Sequence, residues 1–212
     1  MTLLIIGSTG LVGRELVRLA AERPDVSQVT ALVRRDPGAR PSPKVRYRVV
    51  DFAHLGQDLD EVFAVDTVLS AMGTTARATP DPAQYRQIEV GIPLAVARRA
   101  HAAGATRFGL VSSVGASPSA RTTYLRQKGA LEVALEQMGW ARFVIARPSF
   151  LAGERNEFRL GERVGLLAGR FFPAAYRPVH ARQVAAGLLD AVHRGGPSVE
   201  LLDNVTLRTG NA

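Results

Sequence analysis

Apolar residues along this chain switch repeatedly between two spacings. Thr2-Leu-Leu-Ile-Ile6 is a short apolar run that stops at Gly7, and from Leu11 to about Glu22 the positions Leu11, Val12, Leu16, Leu19 and Ala20 recur at helical intervals. That pairing predicts strand, tight turn, helix. Pro24 and Asp25 close the helix, Val29 to Val33 makes a second strand, Arg35 to Pro43 a loop, and Val45 to Val50 a third strand. His54 to Phe63 is irregular or weakly helical, Thr67 to Ala71 a fourth strand, and Asp81 to about Ala103 a long helix ended by Gly104. Arg107 to Ser112 reads as strand five, Ala120 to Met138 as a helix, and Ala141 to Ala146 as strand six. Past Pro148 follow a polar loop, a helix around Glu162 to Arg170, another from about Ala181 to Arg194, and a last strand at Val199 to Leu202.

Strands regularly separated by helices require parallel pairing, because parallel neighbours need a long connection that packs back onto the sheet. The expected fold class is therefore α/β, a doubly wound parallel sheet of the Rossmann kind. At 212 residues the chain supplies one full hydrophobic core. The expectation is a single domain, with a dinucleotide-binding core at residues 1–148 and a small substrate-side segment with the last strand at 149–212.

Gly7-Ser-Thr-Gly-Leu-Val-Gly13 sits between strand one and the first helix, where a dinucleotide fold needs glycines to turn tightly and let backbone amides reach a pyrophosphate. Gly7 and Gly10 belong to that turn, and Thr9 can offer its hydroxyl to phosphate. About twenty residues after the last glycine, an NAD-selective fold sets a carboxylate against the ribose hydroxyls. Here Arg34 and Arg35 stand there instead. Guanidinium pairs with a 2′-phosphate, so NADP(H) is the expected cofactor. Asp36 either swings toward the ribose or, standing later than the expected position, pairs with an arginine or opens the turn at Pro37.

Tyr124 and Lys128 lie four residues apart in a predicted helix and so share one face. A phenol is a poor proton donor or acceptor at neutral pH, and a neighbouring cation favours its ionised form. The pair therefore suits transfer of a proton to a carbonyl oxygen as hydride arrives. Lys128 is one of only two lysines in a chain whose other cations are arginine, which singles it out for a task guanidinium cannot perform. Strand five runs into Ser112-Ser-Val-Gly-Ala116, placing two hydroxyls at the carboxyl edge of the sheet, where open α/β folds bind ligands. Ser113 is the favoured donor to a developing oxyanion, with Ser112 the second candidate.

These motifs together resemble the short-chain dehydrogenase/reductase superfamily. The order Met72-Gly-Thr-Thr75, Ser112-Ser-Val-Gly-Ala116, Tyr124-Leu-Arg-Gln-Lys-Gly129, Arg147-Pro148 and Glu200-Leu-Leu-Asp-Asn204 looks like its atypical, NADPH-binding branch, that of the Tat-interacting protein oxidoreductases, which is NmrA- and epimerase-like. The resemblance implies Tyr124 as proton donor, Lys128 on the nicotinamide ribose, Arg34 and Arg35 on the adenosine phosphate, and Thr9, Gly10, Leu11 and Val12 at the pyrophosphate. It further implies that Met72 and Gly73 line the cofactor, and that Leu151 and Arg159 reach the nicotinamide side. Leu11 and Val12 depart from the polar residues of that branch, which leaves their backbone amides to serve.

Composition narrows the alternatives. Zero cysteines exclude disulfides and thiolate metal sites, and four histidines at 54, 101, 180 and 193 show no ligand spacing, so no metal is expected. His180 and His193 read as surface or capping residues. The net charge of +8 is spread along the chain without a basic block or interleaved aromatics, which argues against nucleic acid. No run of apolar residues is long enough to span a membrane and no secretory leader pattern is present, giving the expectation of a soluble, cytoplasmic protein. The function expected is NADPH-dependent reduction of a small carbonyl substrate, as a monomer or homodimer. A non-catalytic NADP(H) sensor acting through a protein partner is the alternative. Epimerase chemistry is disfavoured, because the short stretch after Pro148 leaves little chain to cover a nucleotide-sugar. Phe171, Phe172 and Tyr176 belong either to a substrate cover or to the core.

Overall fold

The computed structural model describes residues 1–38, 40–55, 59–152 and 173–210. The helix expected at Glu162 to Arg170, Arg159, Phe171 and Phe172 lie outside the described residues.

Seven parallel strands form the main sheet: β1 Thr2–Ile6, β2 Gln28–Val33, β3 Val45–Val49, β4 Thr67–Ser70, β5 Arg107–Val111, β6 Arg142–Ala146 and, after the two short strands β7 Leu151–Ala152 and β8 Val179–His180, β9 Val199–Leu202. Their spatial order is β3-β2-β1-β4-β5-β6-β9, so the winding reverses between β1 and β4. The two short strands pair separately, Leu151 opposite Val179.

The inner strands β1, β4, β5 and β6 are covered on both faces, which is why they read as largely apolar runs, whereas β3 and β9 at the two edges are partly exposed. Leu3 and Ile5 point into one core with helix α1 (Leu11–Glu22); Leu4 and Ile6 point into the other. On that second face α2 (Asp60–Phe63), α4 (Ile92–Ala102) and α5 (Thr123–Glu136) supply Phe63, Val96 and Leu131, all essentially inaccessible. A helix at Ala181–His193, here α6, packs along α1 and contributes Val184, Leu188 and Val192 to the first core. Chain beyond residue 180 thus builds the body of the fold. His180 closes the start of α6 in a capping box with Gln183, and His193 pairs with Asp25.

The helix expected as one piece from Asp81 comes in three parts: α3 (Pro82–Arg86), a π-helical turn (Gln87–Gly91) and α4. Asp81 starts it by accepting the amides of Ala83 and Gln84. The wide turn has a local cause. Pro93 has no N–H for the carbonyl of Glu89 and its ring would crowd that oxygen, so the turn opens and Ile92 donates to Gln87 instead. Helix α5 begins at Thr123 rather than Ala120, because the Thr122 hydroxyl accepts the Leu125 amide at 3.4 Å. A final short helix, α7 (Asn204–Thr209), capped by Asp203 and ended by Gly210 in the left-handed region, is too short to leave a periodic signal.

Candidate functional site

At the reversal between β1 and β4 the two strand ends separate from their crossovers and leave a groove at the carboxyl edge. Glycine is required here on geometric grounds. Gly7 has φ of +74°, and a Cβ on it would stand 2.4 Å from the Ala71 carbonyl oxygen. A Cβ on Gly13 would stand 2.0 Å from the oxygen of Gly7, so α1 rests directly on the turn. Gly10 precedes α1 without a side-chain cap, which leaves amides of the first helical turn facing the groove. Beside them the Ser8 hydroxyl is buried without a partner among the described residues. Unpaired donors at a helix start suit an anionic pyrophosphate.

Two connected lobes of about 1130 and 470 Å³ form the groove, sharing Gly10 and Ala71 to Thr74. The larger is lined by Gly7 to Gly10, by Arg34 and Arg35 at the end of β2, and by Asp51 and Phe52. Both arginines are exposed. Asp36 turns away into its own loop, accepting the Gly38 amide at 2.8 Å and pairing with Arg40 at 3.0 Å. Of the openings the sequence left to Asp36, the turn and the arginine pair are the ones observed.

The smaller lobe gathers Leu11, Val12, Met72, Gly73, Ser112, Ser113, Tyr124, Lys128 and Leu151 in one place. Tyr124 is 38% exposed, whereas Lys128 beneath it is 3% exposed, its ammonium 5.9 Å from the phenol ring centre. Gly129 allows this packing: a Cβ there would stand 2.2 Å from the backbone of Ser117. Ser112 Oγ is buried without a partner among the described residues, and Ser113 Oγ donates to the Val114 carbonyl at 3.3 Å.

Two members of the lobe escape a reading of the sequence. Glu89, on the π turn, is fully buried and stands 3.0 Å from Lys128 Nζ. Tyr85, one turn earlier, lines the same lobe; burial, then Glu89 and Tyr124, push its phenol up to about 12. The available signal was that Tyr85 and Glu89 repeat the four-residue spacing of Tyr124 and Lys128 on a facing element.

Residues 7–194 match the family described as NAD(P)H-binding. The chain belongs to this NAD(P)H-binding family. Its relatives include Protein FMP52, mitochondrial, of Candida albicans, 31% identical over all of this chain and 96% of the relative. The same-named protein of Debaryomyces hansenii is 37% identical over 74% of this chain and 70% of its own. Among solved structures, a UDP-glucose 4-epimerase from Thermotoga maritima superposes with a TM-score of 0.73 at 16% identity, over 96% of this chain and 77% of that one. The Bordetella bronchiseptica enzyme WbmG in complex with NAD superposes with a TM-score of 0.72 at 16% identity, over 96% and 72%. At such identity the structures establish a shared fold, the NAD(P)-binding Rossmann sheet of epimerase-like proteins.

One expectation is narrowed and another corrected for this NAD(P)H-binding protein. The relatives named above are FMP52 proteins, so the expected resemblance is shown at the level of the NAD(P)-binding, epimerase-like fold and not for the Tat-interacting protein oxidoreductase branch. The cytoplasmic location is overturned, since the relatives are named as mitochondrial proteins. The pattern of a secretory leader bears on export alone and does not distinguish the cytosol from an organelle. Among the described residues no helix is long and apolar enough to cross a membrane.

Proposed function

We propose that this protein is an NADPH-dependent oxidoreductase that reduces a small carbonyl substrate by hydride transfer. The observation that carries the reading is the convergence of Tyr124, Lys128, Ser112 and Ser113 in a lobe continuous with the glycine turn. Uncapped amides of α1 and the buried hydroxyl of Ser8 fit a pyrophosphate, and Arg34 and Arg35 fit a 2′-phosphate at the far end. Leu11, Val12, Met72, Gly73 and Leu151 wall the channel between, and Arg159 is assigned to the nicotinamide side by resemblance alone.

When bound, the reduced nicotinamide supplies the hydride that adds to the carbonyl carbon. Tyr124 gives its hydroxyl proton to the carbonyl oxygen, Ser113 orients that oxygen by hydrogen bonding, and Lys128 favours the phenolate left behind. Ser112 is the second hydroxyl able to serve, its oxygen having no partner among the described residues.

Oxidation of NADPH in the presence of a panel of small aldehydes and ketones tests the reading. Tyr124→Phe is expected to lower turnover at least about 100-fold while the variant still binds NADPH. Equal turnover by wild type and variant contradicts it.

A further inference from the structure

A carboxylate with no exposed surface, facing a nearly buried ammonium, is a costly element unless the two are held against each other. Glu89 meets that condition through one oxygen, which stands 3.0 Å from Lys128 Nζ as an ion pair without hydrogen-bond geometry; its other oxygen accepts the Thr74 amide at 2.6 Å, and Lys128 Nζ donates to the Met72 carbonyl at 3.0 Å. Three segments distant in sequence are thereby joined: the loop leaving β4, the π turn, and α5. Gly73 lies over the junction, where an added Cβ would stand 3.4 Å from Glu89 and 3.7 Å from Lys128.

We infer that Glu89 is a positioning residue for the nicotinamide half of the groove, fixing Lys128 and the Met72 to Thr74 loop in the one arrangement that a nicotinamide ribose meets. The inference rests on the proposed function and on Lys128 being the nicotinamide-ribose contact that the family resemblance implies. A lysine side chain is flexible and strongly hydrated, so an anchor that fixes it before the nucleotide arrives removes the ordering cost from binding. Tyr85 adds no competing charge: with its phenol pushed up to about 12 it stays neutral beside the pair. Glu89 shares the buried face of its helix with Tyr85, Ile92 and Val96.

Glu89→Gln keeps the shape and an oxygen for the Thr74 amide but removes the charge. NADPH is expected to bind about tenfold more weakly to this variant, while adenosine 2′,5′-bisphosphate, which has the 2′-phosphate but no nicotinamide, binds within about twofold of wild type. A second readout needs no nucleotide. Because Lys44 and Lys128 are the only lysines, an amine-acylating reagent followed by peptide mass mapping reports Lys128 directly, with Lys44 as internal reference. Labelling of Lys128 is expected to rise at least about threefold in the Gln variant. Glu89→Asp, which keeps the charge at a shorter reach, should fall between wild type and Gln in both readouts, and it decides the matter if the Gln variant does not fold. Equal weakening of both nucleotides, or unchanged labelling with unchanged NADPH binding, overturns the inference. Neither readout uses turnover, so failure of carbonyl reduction and failure of this inference are seen separately.

Discussion

The two ends of the groove are built on opposite principles. The end proposed for adenosine presents exposed donors, a glycine turn, a helix start and two solvent-facing arginines, each adjacent in sequence to the strand that carries it. The end proposed for nicotinamide holds charges from distant segments, buried and neutralised within the protein before any ligand arrives. Backbone amides and exposed guanidinium groups remain hydrated while the site is empty, so little internal compensation is needed. A buried ammonium has no such option and needs a partner from the chain itself.

If this contrast is right, substitutions at the two ends should damage different properties. The largest stability loss is expected for Lys128→Met, which leaves the Glu89 carboxylate buried beside a single amide donor. About 3 to 5 kcal/mol should be lost in urea unfolding, most of it recovered in the Lys128→Met, Glu89→Leu double variant. Gly13→Ala comes next, at about 2 to 3 kcal/mol by the same measurement, because its Cβ would meet backbone that cannot give way. Arg34→Ala combined with Arg35→Ala should leave the unfolding curve within about 0.5 kcal/mol of wild type, both side chains being exposed. Its effect should appear instead in titrations with nucleotide: about tenfold weaker NADPH binding, with NADH unchanged. A stability loss from the arginine pair, or none from Lys128→Met, would erase the contrast.

The same difference decides what was legible beforehand. Strands β1 and β9 and helix α1 fall at the limits their apolar spacing predicts: β1 is buried on both faces and reads as a consecutive apolar run, α1 buries one face at helical intervals, and β9, half-exposed, ends on the buried Leu202. The glycine turn was legible because close backbone approach leaves no other residue type at Gly7 and Gly13. Tyr124 and Lys128 could be paired because both lie on α5. Glu89 could not be found that way. Its helical spacing places it on the apolar face with Tyr85, Ile92 and Val96, but its partner is a lysine 39 positions away on another element, and no spacing within one helix reports that contact.

A crystal structure of the protein bound to NADPH tests the account most directly. The 2′-phosphate should lie between the Arg34 and Arg35 guanidinium groups, the pyrophosphate on the α1 amides, and the nicotinamide against Tyr124 with its ribose on Lys128, which still holds Glu89. A nucleotide bound with its nicotinamide away from Tyr124, or a Lys128 that has left Glu89, would contradict it.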